Sequence, residues 1–350
     1  MTESGGRAAG VTVDRLTHPS LGVCLILLCA VSLMEATMHH NFLGARPAMV
    51  EGVLNPAAVV REQLGVVRGE YSDTAPDLQA RMLVPAIVWA VYSVSPTPWE
   101  PPTFLLVEAL TIFVSFVAMF GLALRVIGRR LPAMLSVLLM AVYLPLIFAG
   151  VFRVGEALLF GIYCGIAWAV LVDSKLLFVA FVLLGATQRP DMAVSGAGFG
   201  VLYWLWFRRD FSMPAIITCV IALLSPFVVT WAIATHYHIT DYSELTKYLA
   251  VKWQWNLRDS RILTLLTLPI VVLALLGRVR FSGTVHLMML SLVPWLIFCV
   301  FFANFSETRH FFQLLAVALI GIAESIDMAM RAPRPSGGVD NDPVTYTAVS

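Results

Sequence analysis

Apolar residues in this chain come in long uninterrupted runs, separated by short polar turns. Ten runs stand out: Leu21–Met38, Thr103–Ile127, Leu131–Val151, Gly155–Val172, Leu176–Gln188, Met192–Phe207, Met213–Thr235, Ile262–Gly277, Thr284–Ala303 and Phe311–Met330. A helix rises about 1.5 Å per residue, so crossing a hydrocarbon core of about 30 Å takes about 20 apolar residues. Most of the runs approach that length, while Leu176–Gln188 and Ile262–Gly277 are short. The pattern predicts an all-α, polytopic integral membrane protein with about ten transmembrane helices.

One further apolar stretch, Met82–Ser95, is about three-quarters of a span. It contains Pro85 and is followed by Pro96, Pro98, Pro101 and Pro102, which suits a re-entrant or interface-lying helix better than a clean crossing. Charge decides its placement, because Lys and Arg favour cytoplasmic turns. If Met82–Ser95 crossed, Arg125, Arg129 and Arg130 would face outside and every later basic turn would invert. If it does not cross, Arg125/Arg129/Arg130, Lys175, Arg208/Arg209, Arg278/Arg280 and Arg331/Arg334 all share the cytoplasmic side, together with both termini. The expected organisation is then a cytoplasmic N-terminal tail (1–19), a transmembrane domain (20–331) and a disordered cytoplasmic C-terminal tail (332–350) rich in Pro, Gly and Asp. Residues 39–102 form a first outer loop and 236–261 a second. Apolar spacing in Met49–Leu64, and at Leu245, Leu249 and Trp253, predicts amphipathic segments in the interface plane of these loops. No small-residue cleavage site ends the first run, so it reads as a retained helix of a multi-pass protein in the cytoplasmic (inner) membrane.

Composition strengthens this picture. Hydrophobic types make up 59% of the chain and charged types 13%, against about 25% charged in soluble domains. That leaves too little polar surface to cover a water-soluble globule, so membrane lipids are the expected surroundings. A net charge of +1 gives no electrostatic footprint for nucleic acid. Cys24, Cys29, Cys164, Cys219 and Cys299 all lie inside apolar runs with no C-x-x-C spacing, and read as free small residues. The glycines of Ser195–Gly200 (SGAGFG) sit inside a span, where they permit close helix packing.

The unusual polar residues fall on the outer side. Four arginines sit at outer helix ends with an acid nearby: Arg81 with Asp77, Arg153 with Glu156, Arg189 with Asp191, and Arg309 with Glu307. Single arginines at such positions snorkel to the interface, but a cluster of guanidinium groups suits a phosphate or pyrophosphate. Glu35, near the outer end of the first run, is ionisable at a depth where charge is costly, which marks it as a candidate base or metal ligand. His39, His40, His236, His238 and His310 lie on the same side, and with Glu35 and Glu307 they are candidate metal ligands, although the spacing matches no zinc signature.

Three stretches carry a resemblance: DLQARMLVP (77–85), TQRPDMAV (187–194) and ETRHFF (307–312), set after a single helix and a long outer loop. In order and placement they resemble the GT-C class of membrane glycosyltransferases and their uncharacterised bacterial relatives. The resemblance implies a polyprenyl-phosphate-linked sugar as donor and a small or lipid-linked acceptor, with transfer at the outer face. It implies Glu35 as base, with Asp73 or Asp77 as alternatives. It implies phosphate binding by Arg309, with Arg189 and Arg81 assisting, and it admits a divalent metal cation. Arg153, Glu307 and His310 complete the expected substrate-binding set. Two other classes stay open from the residues alone. One is a non-catalytic lipid-binding or scaffold subunit with a membrane protein partner. The other is a transporter or flippase of a lipid-linked or anionic solute.

Overall fold

Each apolar run within the described residues is helical. The computed structural model describes residues 19–45, 55–70, 82–95, 99–148, 154–236, 281–302 and 311–331. The helices are α1 (Leu21–Ala45), α2 (Pro56–Arg68), α3 (Leu83–Val94), α4 (Glu100–Ile127), α5 (Arg130–Phe148), α6 (Leu158–Leu171), α7 (Lys175–Gln188), α8 (Pro190–Val201), α9 (Met213–His236), α10 (Gly283–Phe302) and α11 (Phe312–Arg331). After Val201 the backbone widens into a π-helical turn over Leu202–Phe207. There is no strand among the described residues.

Among the described residues four helices are long and apolar enough to cross a membrane, over Leu21–Gly44, Glu100–Ile127, Met213–Ile233 and Phe312–Arg331. The other apolar helices are shorter, so the expected ten full spans are met only in part, and the run Ile262–Gly277 lies outside the described residues. The protein is thus a membrane protein whose regular elements, among the described residues, are all helices.

Three boundaries correct the sequence reading. The first helix does not stop at Met38 but runs on to Ala45, so His39 and His40 are helical and not part of a loop. The buried face of α1 continues through Leu28, Ser32, Glu35, Ala36, His39 and Leu43, at the three-to-four spacing of one helix face. The amphipathic segment expected from Met49 starts as α2 at Pro56. The Asn55 side chain accepts a hydrogen bond from the Ala58 amide, Pro56 fits the first turn, and Gly69 closes the helix in the left-handed conformation. The run expected from Gly155 becomes helical at Leu158, because Gly155 itself has φ +78°.

The helices run between two chemically distinct ends. At the basic end the turns are held by charge. Arg129 Nη1 lies 3.0 Å from Asp327 Oδ1, and Arg331 pairs with Oδ2 of the same aspartate. Arg125 donates to the Leu171 carbonyl at 3.2 and 3.3 Å, and Arg130 to that of Pro19 at 3.1 Å. The Ser282 amide donates to Glu324 at 3.1 Å. At the opposite, polar end the Met82 amide donates to the Thr187 carbonyl at 2.8 Å, and the Val84 amide to Gln188 Oε1 at 3.3 Å. α3 therefore opens at the end where α7 finishes. α4 begins at that same end, since its Glu108 meets His39 there and its first residue, Glu100, lies 3.8 Å from Arg61 of α2. The two short helices α2 and α3 pack against each other and against α4.

Close packing holds the middle. A Cβ on Gly161 would fall 2.4 Å from Ser115 Oγ and 2.7 Å from its Cα, so α4 and α6 touch backbone to backbone there. Gly196 and Gly200 of the glycine run leave room for Ile166 and Phe178 in the same way. Lipid is as apolar as leucine, so contact of this kind, and not the exclusion of water, binds helices inside a membrane. Cys24, Cys29, Cys164 and Cys219 are free, as expected.

Candidate functional site

At the polar end, the inner face of α1 brings His39 against α4. Its Nδ1 lies 2.9 Å from Oε1 of Glu108, and both side chains are 0% exposed. The other carboxylate oxygen, Oε2, accepts the backbone N–H of Gly155 at 2.6 Å. One carboxylate thus ties α1, α4 and the turn before α6 together. The His39 ring also meets Phe104 edge-on, with centroids 5.3 Å apart, and His40 approaches the same ring at 6.0 Å. Gly155 is required twice over here: its φ is +78°, and a Cβ would lie 2.8 Å from Val84 Cγ2. Glu156, the next residue, is 2% exposed.

Glu35 sits one helical turn before His39 on the same face, 1% exposed. Its Oε2 has no hydrogen-bond partner among the described residues. A buried carboxylate oxygen without a partner is costly, and such groups gather where a site uses them.

The polar band continues through Val84 and Gln188 to Arg189, between α7 and α8. Arg189 grips Asp191 with two parallel bonds, Nε to Oδ1 at 3.0 Å and Nη2 to Oδ2 at 2.7 Å. This is the fork geometry that lysine cannot supply. Trp295 of α10 donates its indole N–H to the same Oδ2 at 3.0 Å. Asp191 also lies in the first turn of α8, where the helix dipole favours a carboxylate.

Beside Asp191 a pocket of about 690 Å³ opens between α8, α9 and α10, within the usual range of about 300 to 1,000 Å³ for small-molecule sites. Asp191, Trp231 and Trp295 stand toward its polar end, and Gly198, Leu223 and Ser291 line it more deeply. From Asp191 to Gly198 the helical rise amounts to about 10 Å. The hydroxyls on its wall bond to backbone: Ser195 to the Asp191 carbonyl at 3.1 Å, Thr230 to Pro226 at 2.7 Å and Ser291 to Met288 at 2.8 Å. The surface they leave is apolar, and Phe227 and Trp231 at its rim are 64% and 69% exposed. Such a pocket suits a hydrocarbon chain entering from the side.

Of the residues singled out in the sequence, Glu35, His39, His40, Glu156, Arg189 and Asp191 are described, and all six lie at the polar end. Asp73, Asp77, Arg81, Arg153, His238, Glu307, Arg309 and His310 lie outside the described residues, as does the side chain of His236. Glu35 and His39 pack on the α1/α4 side, whereas Arg189 stands on the α7/α8 side, with α6 packed between α4 and α8. They share an end of the bundle through a chain of contacts, not one direct contact. Among the described residues no three His, Cys, Asp or Glu side chains are grouped to hold a metal ion. Glu108 lies inside the apolar run Thr103–Ile127 and had no role in the sequence analysis. Its partner was concealed because His39 was assigned to a loop. No protein-family model, curated protein or solved structure matches this chain, so what the site does is argued from its own residues.

Proposed function

We propose that this protein is a multi-pass membrane glycosyltransferase. It takes a sugar from a polyprenyl-phosphate donor and passes it to a small or lipid-linked acceptor. The basic end and both termini face the cytoplasm, and the reaction takes place at the outer face of the cytoplasmic membrane. The observation that carries this reading is the layer at the polar end. Buried acids, one with an unpartnered oxygen, lie at the same end as an apolar pocket lined by Asp191, the partner of Arg189. The pocket takes isoprenoid chain. Arg189 stabilises negative charge at its mouth, assisted by Arg309, Arg81 and Arg153, and Asp191 and Trp295 hold it in place.

In the transfer step the acceptor hydroxyl oxygen bonds to the anomeric carbon as the bond from that carbon to the phosphate oxygen breaks. The electron pair leaves on the phosphate, and the hydroxyl proton passes to a carboxylate. Glu35 is that carboxylate, with Asp73 and Asp77 as alternatives. Asp191 is held by three donated bonds, which suits a positioning role. A divalent cation would be held by His40, His236 and His238, since Glu108 already engages His39 Nδ1, and no step above depends on it.

Transfer from a panel of polyprenyl-phosphate sugars by the purified full chain tests this reading. Glu35→Gln is expected to lower turnover by about 100-fold or more with donor binding retained. Asp191→Asn is expected to weaken donor binding. If wild-type protein binds no donor and transfers no sugar, the reading fails. A second reading is a non-catalytic lipid-binding subunit, favoured by the way Arg189 closes on Asp191 and leaves an apolar pocket. On that reading Glu35→Gln changes nothing.

A further inference from the structure

Among the described residues two that are not glycine have a left-handed backbone, Asp173 with φ 59° and Arg209 with φ 53°. Both lie in turns at the basic end, far from the polar band. Asp173 has evident reasons for its conformation. Aspartate tolerates this region better than most residues. Its Oδ1 accepts the Trp204 indole N–H at 2.9 Å, and Lys175 and Arg208 lie 3.6 and 3.5 Å from its carboxylate. Those contacts neutralise Lys175 and Arg208 locally.

Arg209 has no such reason. It is exposed and has no ion-pair or hydrogen-bond partner among the described residues. Its conformation is imposed from both sides. The Arg208 amide donates to the Tyr203 carbonyl and the Asp210 amide to that of Trp204, each at 2.8 Å. Asp210 in turn accepts the Ser212 amide at 3.1 Å. The pinned turn carries an exposed guanidinium, flanked along the chain by exposed apolar side chains: Trp206 at 77%, Phe211 at 66% and Met213 at 71%. In a membrane protein, aromatic residues at a helix end mark the headgroup level. A cation held there faces lipid phosphates.

We propose that the turn over residues 208–213 binds the headgroup of an anionic phospholipid of the surrounding leaflet. Arg209 meets the phosphate, and Trp206, Phe211 and Met213 lie along the acyl chains. The αL strain at Arg209 persists because the turn is built to present that side chain. This site does not depend on the transferase reading.

The test uses the full chain in bilayer discs of phosphatidylcholine, alone or mixed with phosphatidylglycerol, with retained lipid counted by native mass spectrometry. Wild type is expected to retain phosphatidylglycerol over phosphatidylcholine. Arg209→Gly is expected to lower that preference about five-fold, while thermal stability in phosphatidylcholine alone is unchanged or raised, since glycine accepts positive φ. Arg209→Lys keeps most of the preference. Equal retention of the two lipids by wild type overturns the proposal. So does an unchanged preference in Arg209→Gly. An equal loss in Arg130→Ala, which removes another exposed charge at this end, shows diffuse attraction and overturns it too. Stabilisation by inorganic phosphate that matches the lipid effect and vanishes in Arg209→Gly points to a soluble-anion site, with the same consequence.

Discussion

At the basic end Asp327 is shared by Arg129 and Arg331, whose side chains are 39% and 51% exposed. At the polar end Glu108 holds His39 where both side chains are 0% exposed. Each acid is engaged by two partners, yet the surroundings differ. The arginines can turn to water or headgroups if their partner is lost. His39 and the Gly155 amide cannot. Ion pairs at a wet interface contribute little, while breaking a buried pair leaves a polar group that nothing solvates. The same chemistry is therefore expected to act as an anchor at one end and as a keystone at the other.

The largest test of that contrast is Glu108→Ala. It strands the His39 ring nitrogen and the Gly155 N–H together. The expected loss is about 3–5 kcal/mol, read as a fall in the unfolding midpoint of the purified protein in micelles. Glu108→Gln retains one acceptor oxygen and is expected to lose less. A Glu108→Ala protein as stable as wild type would show that the pair does not hold the bundle together.

Asp327→Ala is expected to cost less, about 1–2 kcal/mol, because both arginines reach solvent. Arg331 also keeps its contact with the Ile127 carbonyl at 3.4 Å. The same unfolding measurement ranks the two substitutions. If Asp327→Ala proves as damaging as Glu108→Ala, burial is not what distinguishes the ends.

Much of this arrangement was legible in the sequence, and the exceptions are instructive. Helix positions followed from apolar runs, since a lipid-facing helix needs a continuous apolar surface. The element read at Met82–Ser95 is the short helix α3, which opens beside Thr187 and Gln188. The packing role of SGAGFG could be read because glycine inside a span has few other uses. What escaped was pairing between distant residues. Nothing in the sequence says that His39 meets Glu108, because hydropathy treats a histidine after an apolar run as the start of a loop. Only the three-to-four spacing of Ser32, Glu35, His39 and Leu43 hints that the buried face goes on. Likewise Arg189 and Asp191 read as an arginine with its acid, but the Trp295 indole that completes the arrangement is more than a hundred residues away.

The smallest effect lies in the turn at the basic end, where Asp210 is half-buried between the exposed Arg209 and Phe211. Asp210 accepts from Ser212, and this bond, aided by the nearby Lys175 and Arg208 charges, holds its carboxyl below the usual aspartate value. A carboxyl whose folded pKa is depressed contributes stability that is present above the unfolded value of about 3.9. That contribution is lost as pH falls through the lower folded value. Hydrogen exchange of the Ser212 amide, corrected for intrinsic rate, is therefore expected to lose protection below about pH 4, with global unfolding little affected because the bond lies within one short turn. Asp210→Asn is expected to remove the pH dependence while keeping an acceptor for the amide. If Ser212 protection instead stayed flat through the acid range in wild type, the carboxylate charge would not be what fixes this turn. The outward presentation of Arg209 would then rest on the Tyr203 and Trp204 carbonyls alone.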